Sequence, residues 1–483
     1  MPAGASEGGG LAALLLLGLV AVQVSLTVAV LLRPRRRQSS SLAWILVILL
    51  LPGLGIFLWA LLGEVRLGAA RRQRHALLQT RARDRLTPVW EQREAPQLPE
   101  HQEALARLGL AVCGTAPREG TRVELIADSE DFVNELVRAI DEAQEVACVL
   151  TYIWREDASG RAVAEALARA ARRGVVCRAL ADAIGARSML GGPLQRLMEE
   201  AGVEVRPALD PPFLPLLTGR IDLRNHRKLA VVDHRIAFVG SQNLTDADFA
   251  PSARVAAWID CSLRLEGPAA ADLEQLFAED WELDGGASML DEVAPSPPLP
   301  GGVPVQVMGT GPNSENDALV QIIQALVHTA REEVLLTTPY FVPDEGTLAA
   351  LCTAARRGVH VELILPERSD SRLVRAASRS TWEALLEAGA EVHEFQGGML
   401  HAKTLTVDRS LAFVGSANMD RRSFEINFEV STLVYDTDMA SHLRLLQRTY
   451  RDRSRRVDRA QWGRRGALRR IAQNAAGLLS SLL

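Results

Sequence analysis

Two lysines in this chain stand out because nearly every other cationic side chain is an arginine. Of the 54 lysines and arginines, only Lys228 and Lys403 are lysines. Each is preceded two residues earlier by a histidine, His226 in the string NHRKLAVVD and His401 in LHAKTLTVD. A histidine can attack an electrophile or move a proton, and a lysine can hold a negative charge. The repeated pair therefore predicts a reaction centre built from two parts of the chain.

The two lysines also share their downstream surroundings. An aspartate follows each of them by five residues, Asp233 and Asp408, and the string Gly-Ser-x-Asn comes next, as GSQN at residues 240–243 and GSAN at 415–418. A repeat of this length is not expected by chance. Serine and asparagine supply neutral hydrogen-bond donors, so we predict phosphate binding by four side chains: Ser241, Asn243, Ser416 and Asn418.

The spacing of histidine and lysine suits chemistry on a phosphate ester. On an extended strand, residues two apart point to the same face. Lysine is a compact point charge, whereas arginine is a rigid planar fork. A site that holds a phosphate oxygen beside an attacking histidine therefore has room for a lysine. One imidazole could then attack phosphorus while the other protonates the leaving alcohol. A lone histidine is usually structural, and the matched pair is what favours catalysis here.

The elements that position the two motifs are also repeated. The string AARRGV occurs at residues 170–175 and 354–359, each time between a helical stretch and an apolar strand. Alternating strands and helices predict a mixed β-sheet covered on both faces. We expect an α/β fold of two homologous domains, each a mixed sheet flanked by helices, related by a pseudo-twofold axis. The predicted domains are residues 119–285 and 304–455, joined by a Gly- and Pro-rich linker at 286–303.

The N-terminal region contains two uncharged apolar runs, residues 11–32 and 41–63. Each exceeds the ~20 residues that a helix needs to cross a bilayer. A cleaved signal peptide fits poorly, because no lysine or arginine precedes the first run. We predict a transmembrane helical hairpin at residues 1–65, kinked near Pro52, and a juxtamembrane linker at 66–118. Arginines occur on both sides of the second run, but the larger number follows it, which favours a cytoplasmic catalytic body.

The charge of the chain is unevenly distributed. The net charge is −5, although residues 1–85 carry +8 and residues 444–470 carry +9, which leaves −22 for the rest. A body this acidic repels nucleic acid, which requires a basic face. The five cysteines are odd in number and scattered, without metal-type pairs, and this suits reduced thiols in a cytosol.

Two further segments have compositions suited to lipid. The first half has 12 extra residues before His226, in an apolar, proline-rich stretch at 206–226. This insert is either a packed loop or a lip that meets lipid beside the active site. The basic tail, residues 456–483, is predicted to be an amphipathic helix that either lies on an anionic membrane or packs on its own domain. Its apolar stripe consists of Leu468, Ile471, Ala475, Leu478 and Leu482.

The paired motif resembles that of the phospholipase D superfamily. The strings NHRKLAVVD, PYFVPDE, GMLHAKTLTVD and GSANMDRRSFEINFE, with the N-terminal apolar pair, resemble bacterial cardiolipin synthases over nearly the whole chain. One departure is GSQN in the first half, where many of these synthases have two glycines, although Ser241 can still donate a hydrogen bond. The resemblance implies two phospholipase D-like domains and a phosphatidyltransferase that spans the bacterial inner membrane more than once.

The resemblance also implies roles for single residues. The reaction would proceed through a phosphohistidine without a metal or another cofactor, with His226 as the nucleophile and His401 as the general acid and later base. An acidic residue beyond each motif would orient the histidine of that motif, and the matching residues are Asp260 and Glu429. Two residues of the motif are implied to be structural rather than catalytic: Asp233 and Asp408.

We therefore expect one phosphatidylglycerol to donate its phosphatidyl group to His226 and a second to accept it, giving cardiolipin and glycerol. Alternatives are a phospholipase D that uses water and a synthase that uses phosphatidylethanolamine. A phosphodiesterase nuclease is a further alternative, but the acidic body of the chain argues against it. A non-catalytic membrane scaffold would leave both lysines unexplained. The expected partners are phosphatidylglycerol and an anionic membrane, without nucleic acid. The sequence does not predict the oligomeric state.

Overall fold

The computed structural model separates the chain into two compact units. One contains the N-terminal helices, and the other comprises Ala69–Asp210 and Leu223–Ser480. The residues that the structure describes are 6–32, 38–62, 69–91, 96–210, 222–249, 257–313 and 317–480. Most of the apolar insert of the first half, at 211–221, lies outside them, and so does Leu482 of the C-terminal stripe.

The N-terminal unit consists of three apolar helices, α1 (Ser6–Leu31), α2 (Gln38–Leu50) and α3 (Leu54–Leu62). Within the described residues, one stretch, Ala13–Leu31 of α1, is long and apolar enough to cross a bilayer as a single helix. The second apolar run is broken between α2 and α3 at Pro52, which lacks the N–H that would continue the helix. The kink expected there is therefore a complete interruption.

Helices α1 and α2 pack against each other within this unit. A small core of four buried side chains joins them to α3, and these are Val30, Trp44, Ile48 and Trp59. The buried Gln23 of α1 donates its side-chain amide to the carbonyl oxygen of Ile48 at 2.7 Å. Such a hydrogen bond between apolar helices is typical of membrane segments, where a polar group finds no water.

Two helices precede the first sheet strand, α4 (Ala69–Glu91) and α5 (Glu100–Cys113). We predicted a juxtamembrane linker at residues 66–118, and the structure has these two helices within it. α5 buries Leu105 and Val112, seven residues apart on one face, in a hydrophobic core. α4 likewise buries Leu78 and Ala82. Because their apolar faces are buried, these helices belong to the second compact unit.

The first half of this unit alternates strands with helices. Its elements are β1 (Arg118–Ile126), α6 (Ser129–Glu142), β2 (Val146–Thr151), α7 (Ala158–Arg172), β3 (Val176–Asp182), α8 (Pro193–Glu200), β4 (Glu204–Ala208), β5 (Arg224–Asn225), β6 (Leu229–Val232), β7 (Ile236–Gly240), β8 (Trp258–Ile259), β9 (Ser262–Glu266) and α9 (Pro268–Leu283). Aspartates begin its first two helices, since Asp128 and Asp157 accept backbone N–H groups of α6 and α7.

The second half repeats this order and adds a C-terminal extension. Its elements are β10 (Val303–Thr310), α10 (Ala318–Thr329), β11 (Glu333–Thr337), α11 (Glu345–Arg356), β12 (His360–Pro366), α12 (Arg372–Ala388), β13 (Glu391–Phe395), β14 (Met399–Leu400), β15 (Thr404–Val407), β16 (Leu411–Gly415), α13 (Arg421–Glu425), β17 (Asn427–Val434), α14 (Thr437–Asp452), β18 (Ser454–Arg456), α15 (Arg459–Gly463) and α16 (Ala467–Ser480).

The strands form one mixed sheet that runs through both halves. In the first half, β2, β3 and β4 are parallel, and β6, β7, β9 and β1 continue the sheet with antiparallel neighbours. The second half has the same arrangement from β13 to β10. The halves join where β1 pairs with β10 in antiparallel fashion. The predicted duplicated α/β fold is thus confirmed.

Three hydrophobic cores hold the sheet and its helices together. Two of them each lie mainly within one half. The third combines strands of both halves with α9 and α14. Helix α9 is buried over nearly its whole length because it packs among these strands. This central core is what fixes the two halves, and therefore the two motifs, relative to each other.

Candidate active site

Each motif histidine is hydrogen-bonded through its backbone to the other half of the molecule. Strand β5, which ends just before His226, pairs in parallel with β17 of the second half. The N–H of His226 donates to the carbonyl oxygen of Phe428 at 2.9 Å. In the same way β14 pairs with β8, and the N–H of His401 donates to the carbonyl oxygen of Ile259 at 2.8 Å. The two histidines are therefore positioned by crossed strand pairs.

The carboxylate that contacts each histidine also comes from the other half of the molecule. Nδ1 of His226 lies 2.9 and 3.0 Å from the two oxygens of Glu429. Nδ1 of His401 lies 2.6 Å from Asp260. We expected each acid to orient the histidine of its own motif, and the structure corrects this. The physical reason is that the strand before each histidine pairs with the strand of the other half that carries the carboxylate.

This pairing leaves the second ring nitrogen of each histidine for chemistry. With Nδ1–H donating to a carboxylate, the neutral ring keeps its lone pair on Nε2. Among the described residues, neither His226 nor His401 has a hydrogen bond to Nε2. Burial lowers the pKa of each histidine to about 4, and the charges of Lys228 and Lys403 contribute in the same direction. Both imidazoles are therefore neutral at neutral pH before a substrate binds.

The two lysines are buried and similarly held. Nζ of Lys228 donates to the carbonyl oxygen of His226 at 2.7 Å, and Nζ of Lys403 donates to that of His401 at 2.6 Å. Burial lowers the pKa of Lys228 to about 7 and that of Lys403 to about 8. The charge of each half also acts on the other, since Lys403 helps to lower the pKa of Lys228. One small region thus collects the charged groups of both motifs.

The serines of the Gly-Ser-x-Asn strings donate to the carboxylates. The Ser241 hydroxyl donates to Asp260 at 2.6 Å, and the Ser416 hydroxyl donates to Glu429. Each hydroxyl also accepts a backbone N–H group. The pKa of both carboxyls is lowered despite burial, because histidine, lysine and serine partners favour the ionised form. In this structure the serines position the carboxylates, where we had predicted that they bind phosphate.

The asparagines have different surroundings. The side-chain oxygen of Asn243 accepts the N–H of Ile153 at 3.1 Å, which leaves its NH₂ group as a donor. The side-chain oxygen of Asn418 is buried without a hydrogen bond among the described residues. Its backbone N–H donates to Ser423, whose hydroxyl donates to Glu429 at 2.8 Å. Phosphate binding by the two asparagines stays a prediction.

The motif aspartates lie at the far end of the strands from the lysines. Asp233 accepts the N–H groups of three consecutive residues, 144–146, at 2.8 to 3.2 Å. Asp408 accepts those of residues 331–333 at 2.7 to 2.9 Å. Both also have positive φ, as does the next residue, which suits a tight hairpin turn. These contacts support the structural role that the resemblance implied for both aspartates.

Aromatic rings that the sequence analysis missed contact both histidines. The ring of Tyr152 lies 4.9 Å from that of His226. Trp258 stacks on His401 with the ring centroids 4.2 Å apart. A usable signal was present, because Trp258 lies two residues before Asp260 and Tyr152 directly follows β2, the neighbour of β6. These rings limit how the imidazoles can rotate.

A buried carboxylate that the sequence did not indicate holds the backbone around His226. Asp280 of α9 accepts the side chain of Arg227 at 2.6 Å and that of Asn225 at 2.8 Å. Arg227 also donates to the carbonyl oxygen of Glu429 at 3.1 Å. One network therefore fixes the residues on both sides of His226 and the strand that carries its carboxylate.

Comparisons with known proteins give matches over most of the chain. Residues 136–281 and 322–446 match the family described as "Cardiolipin synthase, PLD-like domain", and residues 22–64 match "Phospholipase_D-nuclease N-terminal". Cardiolipin synthase A of Erwinia tasmaniensis is 36% identical over 481 residues, which cover 97% of this chain and 98% of that protein. Cardiolipin synthase A of Edwardsiella ictaluri is 35% identical, with 95% and 96% covered.

A solved structure shares the fold. The crystal structure of phosphatidylserine synthase from Haemophilus influenzae Rd KW20 matches with a TM-score of 0.60 at 15% identity. The match covers 80% of this chain and all of that one.

Proposed function

We propose that this chain, which belongs to the cardiolipin synthase family with phospholipase D-like domains, transfers a phosphatidyl group from one phosphatidylglycerol to another. The products are cardiolipin and glycerol. The observation that carries the proposal is the pair of crossed histidine–carboxylate contacts, each beside a buried lysine. This site is nearly symmetric, and so is the reaction, because one glycerol hydroxyl leaves the phosphorus and another replaces it.

The first step forms a phosphohistidine. Nε2 of His226 attacks phosphorus, and the bond between phosphorus and the glycerol oxygen breaks. The electron pair stays on that oxygen, which takes a proton from Nε2 of His401. His401 must carry that proton, although burial gives it a pKa of about 4 before the substrate binds. The bound phosphodiester anion favours the charged imidazole and raises this pKa, so the proton is acquired as the substrate binds.

The second step returns the enzyme to its starting state. The hydroxyl of a second phosphatidylglycerol gives its proton to Nε2 of His401 and attacks phosphorus. The phosphorus–nitrogen bond breaks, and its electron pair returns to His226. Glu429 and Asp260 hold the two rings through Nδ1 in both steps, so neither imidazole has to turn.

The lysines are proposed to stabilise the charge on the non-bridging phosphate oxygens. Each Nζ uses one donor on the carbonyl oxygen of its own histidine and keeps others for the substrate. A donor fixed in this way before the reaction needs no reorganisation in the transition state. The compact ammonium fits between the histidine backbone and the substrate, which supports the choice of lysine in a chain that otherwise uses arginine.

We further propose that the apolar N-terminal helices anchor the enzyme in a bacterial inner membrane as a multi-pass segment, with the catalytic unit in the cytoplasm. The long apolar helix α1 and its packing on α2 support an anchor. The orientation can be tested with a cysteine introduced in place of the exposed Arg196. A thiol reagent that cannot cross the membrane should leave it unlabelled in intact cells and label it after lysis. Labelling in intact cells would place the body outside.

The reaction is tested with the full-length enzyme reconstituted in phosphatidylglycerol vesicles. Cardiolipin and glycerol should appear in nearly equal amounts, with little phosphatidic acid. His226→Ala and His401→Ala should abolish this transfer. His234→Asn is the matched control, because His234 also pairs with a buried carboxylate, Glu274, at 2.7 Å but lies outside the site. Mostly phosphatidic acid from the intact enzyme would make it a hydrolase, and a requirement for phosphatidylethanolamine would change the donor.

A further inference from the structure

The C-terminal helix α16 packs on α12 with its polar and small side chains and leaves its apolar side chains exposed. Gln473 and Ala476 are buried. Gly477 comes so close to α12 that a Cβ there would lie 2.7 Å from the hydroxyl oxygen of Ser380. Three large apolar side chains of the helix, Leu468, Ile471 and Leu478, have exposed fractions of 84%, 64% and 74%.

The two faces of α16 are nearly opposite. At about 100° per residue, Ile471 and Gln473 point about 160° apart around the helix axis. Leu468, Ile471 and Leu478 of the stripe are therefore largely exposed, whereas an ordinary surface helix would turn such side chains toward the protein core. The helix packs on its own domain, as one of the two sequence alternatives states, and its contact with a membrane stays a prediction.

Arginines are crowded beside this stripe. Burial lowers the pKa of Arg375 on α12, and the charges of Arg379, Arg372 and Arg469 lower it further. Arg379 pairs with Glu394. Among the described residues, the side chains of Arg372, Arg375 and Arg469 form no ion pair. The surface between α12 and α16 thus has more positive charge than its carboxylates neutralise.

A small cleft lies beside these arginines. Its lining includes Pro339, Ser369, Arg375, Ser378, Arg379 and Trp382. On the neighbouring loop, the Tyr340 hydroxyl donates to Asp370 at 2.8 Å. Tyr340 also packs against the cluster of Trp258 and Met399, and Trp258 stacks on His401. Pro339 of the cleft lining thus directly precedes a residue that packs on the His401 side of the site.

We propose that α12 and α16 form a binding surface for an anionic phospholipid bilayer. The exposed leucine and isoleucine side chains enter the boundary between headgroups and acyl chains, and the unpaired arginines bind lipid phosphates. Charge complementarity decides the occupant, since an apolar stripe bordered by uncompensated cations matches a negatively charged lipid surface. This contact is additional to the N-terminal helices and does not depend on which lipid is the substrate.

The test places a fluorescent reporter on the stripe of the full-length protein. Ile471→Cys is labelled with an environment-sensitive dye in a Cys113→Ala background, because the other four cysteines are buried. The protein is reconstituted in nanodiscs of phosphatidylcholine alone or with phosphatidylglycerol, with a nitroxide quencher on the acyl chains. Leu110→Cys is the control, an exposed leucine position on α5.

A blue shift and quenching at position 471, larger with phosphatidylglycerol and absent at position 110, support the proposal. Replacing the three unpaired arginines by glutamine (R372Q, R375Q and R469Q) should remove most of the phosphatidylglycerol-dependent quenching. The matched control replaces three exposed arginines elsewhere, R187Q, R196Q and R331Q, and should leave it unchanged. Equal melting temperatures would show that both triple variants are folded.

Three outcomes would overturn the proposal. The first is a solvent-exposed dye at position 471 in both kinds of nanodisc. The second is quenching of equal size with and without phosphatidylglycerol, which would show insertion without recognition of anionic lipid. The third is a blue shift that grows with protein concentration and is insensitive to the quencher, which would mean that a second copy of the chain covers the stripe. The proposed phosphatidyl transfer is unaffected by any of them, since it is measured by its products.

Discussion

The crossed pairing predicts that Glu429, a residue of the second half, controls His226 of the first half. Glu429→Gln keeps the shape of the side chain but removes its charge. The carboxylate accepts from Nδ1 of His226 at 2.9 Å and also from the hydroxyl of Ser423 at 2.8 Å. It raises the pKa of His226 against the effect of burial. Without it, the phosphorylated and positively charged imidazole is no longer stabilised.

The expected size of the effect follows from this contact. A buried hydrogen bond to a charged group is worth about 1.5–3 kcal/mol. At about 1.4 kcal/mol per tenfold change in rate, losing this bond alone slows formation of the phosphohistidine by about ten- to a hundredfold. An amide that turns its NH₂ group toward the ring would also favour the wrong tautomer, which adds to the loss.

The assay compares two donors in a single turnover. Phosphatidylglycerol needs a proton on its leaving oxygen, whereas a phosphatidyl p-nitrophenol does not. Glu429→Gln and His226→Ala should be slow with both donors. Asp260→Asn and His401→Ala should be slow with phosphatidylglycerol but should regain much of the first step with the nitrophenyl donor.

The control is Glu274→Gln, which removes the charge from another buried carboxylate that pairs with a histidine, His234. It should leave both rates unchanged. The pairing is refuted if Asp260→Asn groups with His226→Ala and Glu429→Gln groups with His401→Ala. If the nucleophile is His401 instead, the two groups exchange their responses to the nitrophenyl donor, but each acid still groups with the histidine that it contacts.

The remaining predictions concern charge, pH, metal and stability. Lys228→Arg and Lys403→Arg should each lower turnover by about 10²–10³, the usual loss for one preorganised donor, while the melting temperature is retained; near-normal turnover of both would contradict the argument from side-chain shape. The pKa of Lys228 is about 7 and that of Lys403 about 8. Because the ammonium groups lose their protons as pH rises through this range, kcat/KM should fall there, and a pH profile of initial rates measures this fall. Exhaustive treatment with EDTA should leave the transfer intact, whereas loss that a divalent ion restores would indicate a metal-dependent reaction. Asp233→Ala leaves three backbone N–H groups without their acceptor, so it should lower the free energy of unfolding, measured by denaturant titration, by about 1–3 kcal/mol or more. The transfer should be retained under conditions where the variant is folded.

Local patterns in the sequence were sufficient to propose the reacting groups and to predict the class of fold. The two His-x-Lys pairs are recognisable by the spacing of their histidine and lysine, since residues two apart on a strand share a face. The repeat of AARRGV between helical and apolar stretches predicts two similar α/β halves, because the periodicity of each element is a local property. Family resemblance added Asp260 and Glu429 as the acids of the site. These features need no knowledge of which distant segments are neighbours.

The tertiary structure alone decided which groups meet. Glu429 pairs with His226 across 203 residues of sequence and Asp260 pairs with His401 across 141, because β5 lies beside β17 and β14 lies beside β8. For the same reason, the sequence could not single out Asp280 among the acids of α9. Only the folded structure shows that its carboxylate contacts Arg227.

The outward stripe of α16 shows the same division between sequence and structure. Its amphipathic pattern is visible in the sequence, but the direction in which the apolar face points depends on the fit of Gly477 against Ser380 of α12. A sequence lists which side chains a helix offers. Only the packing of the whole chain determines which of these side chains are buried in the fold and which stay exposed for a partner.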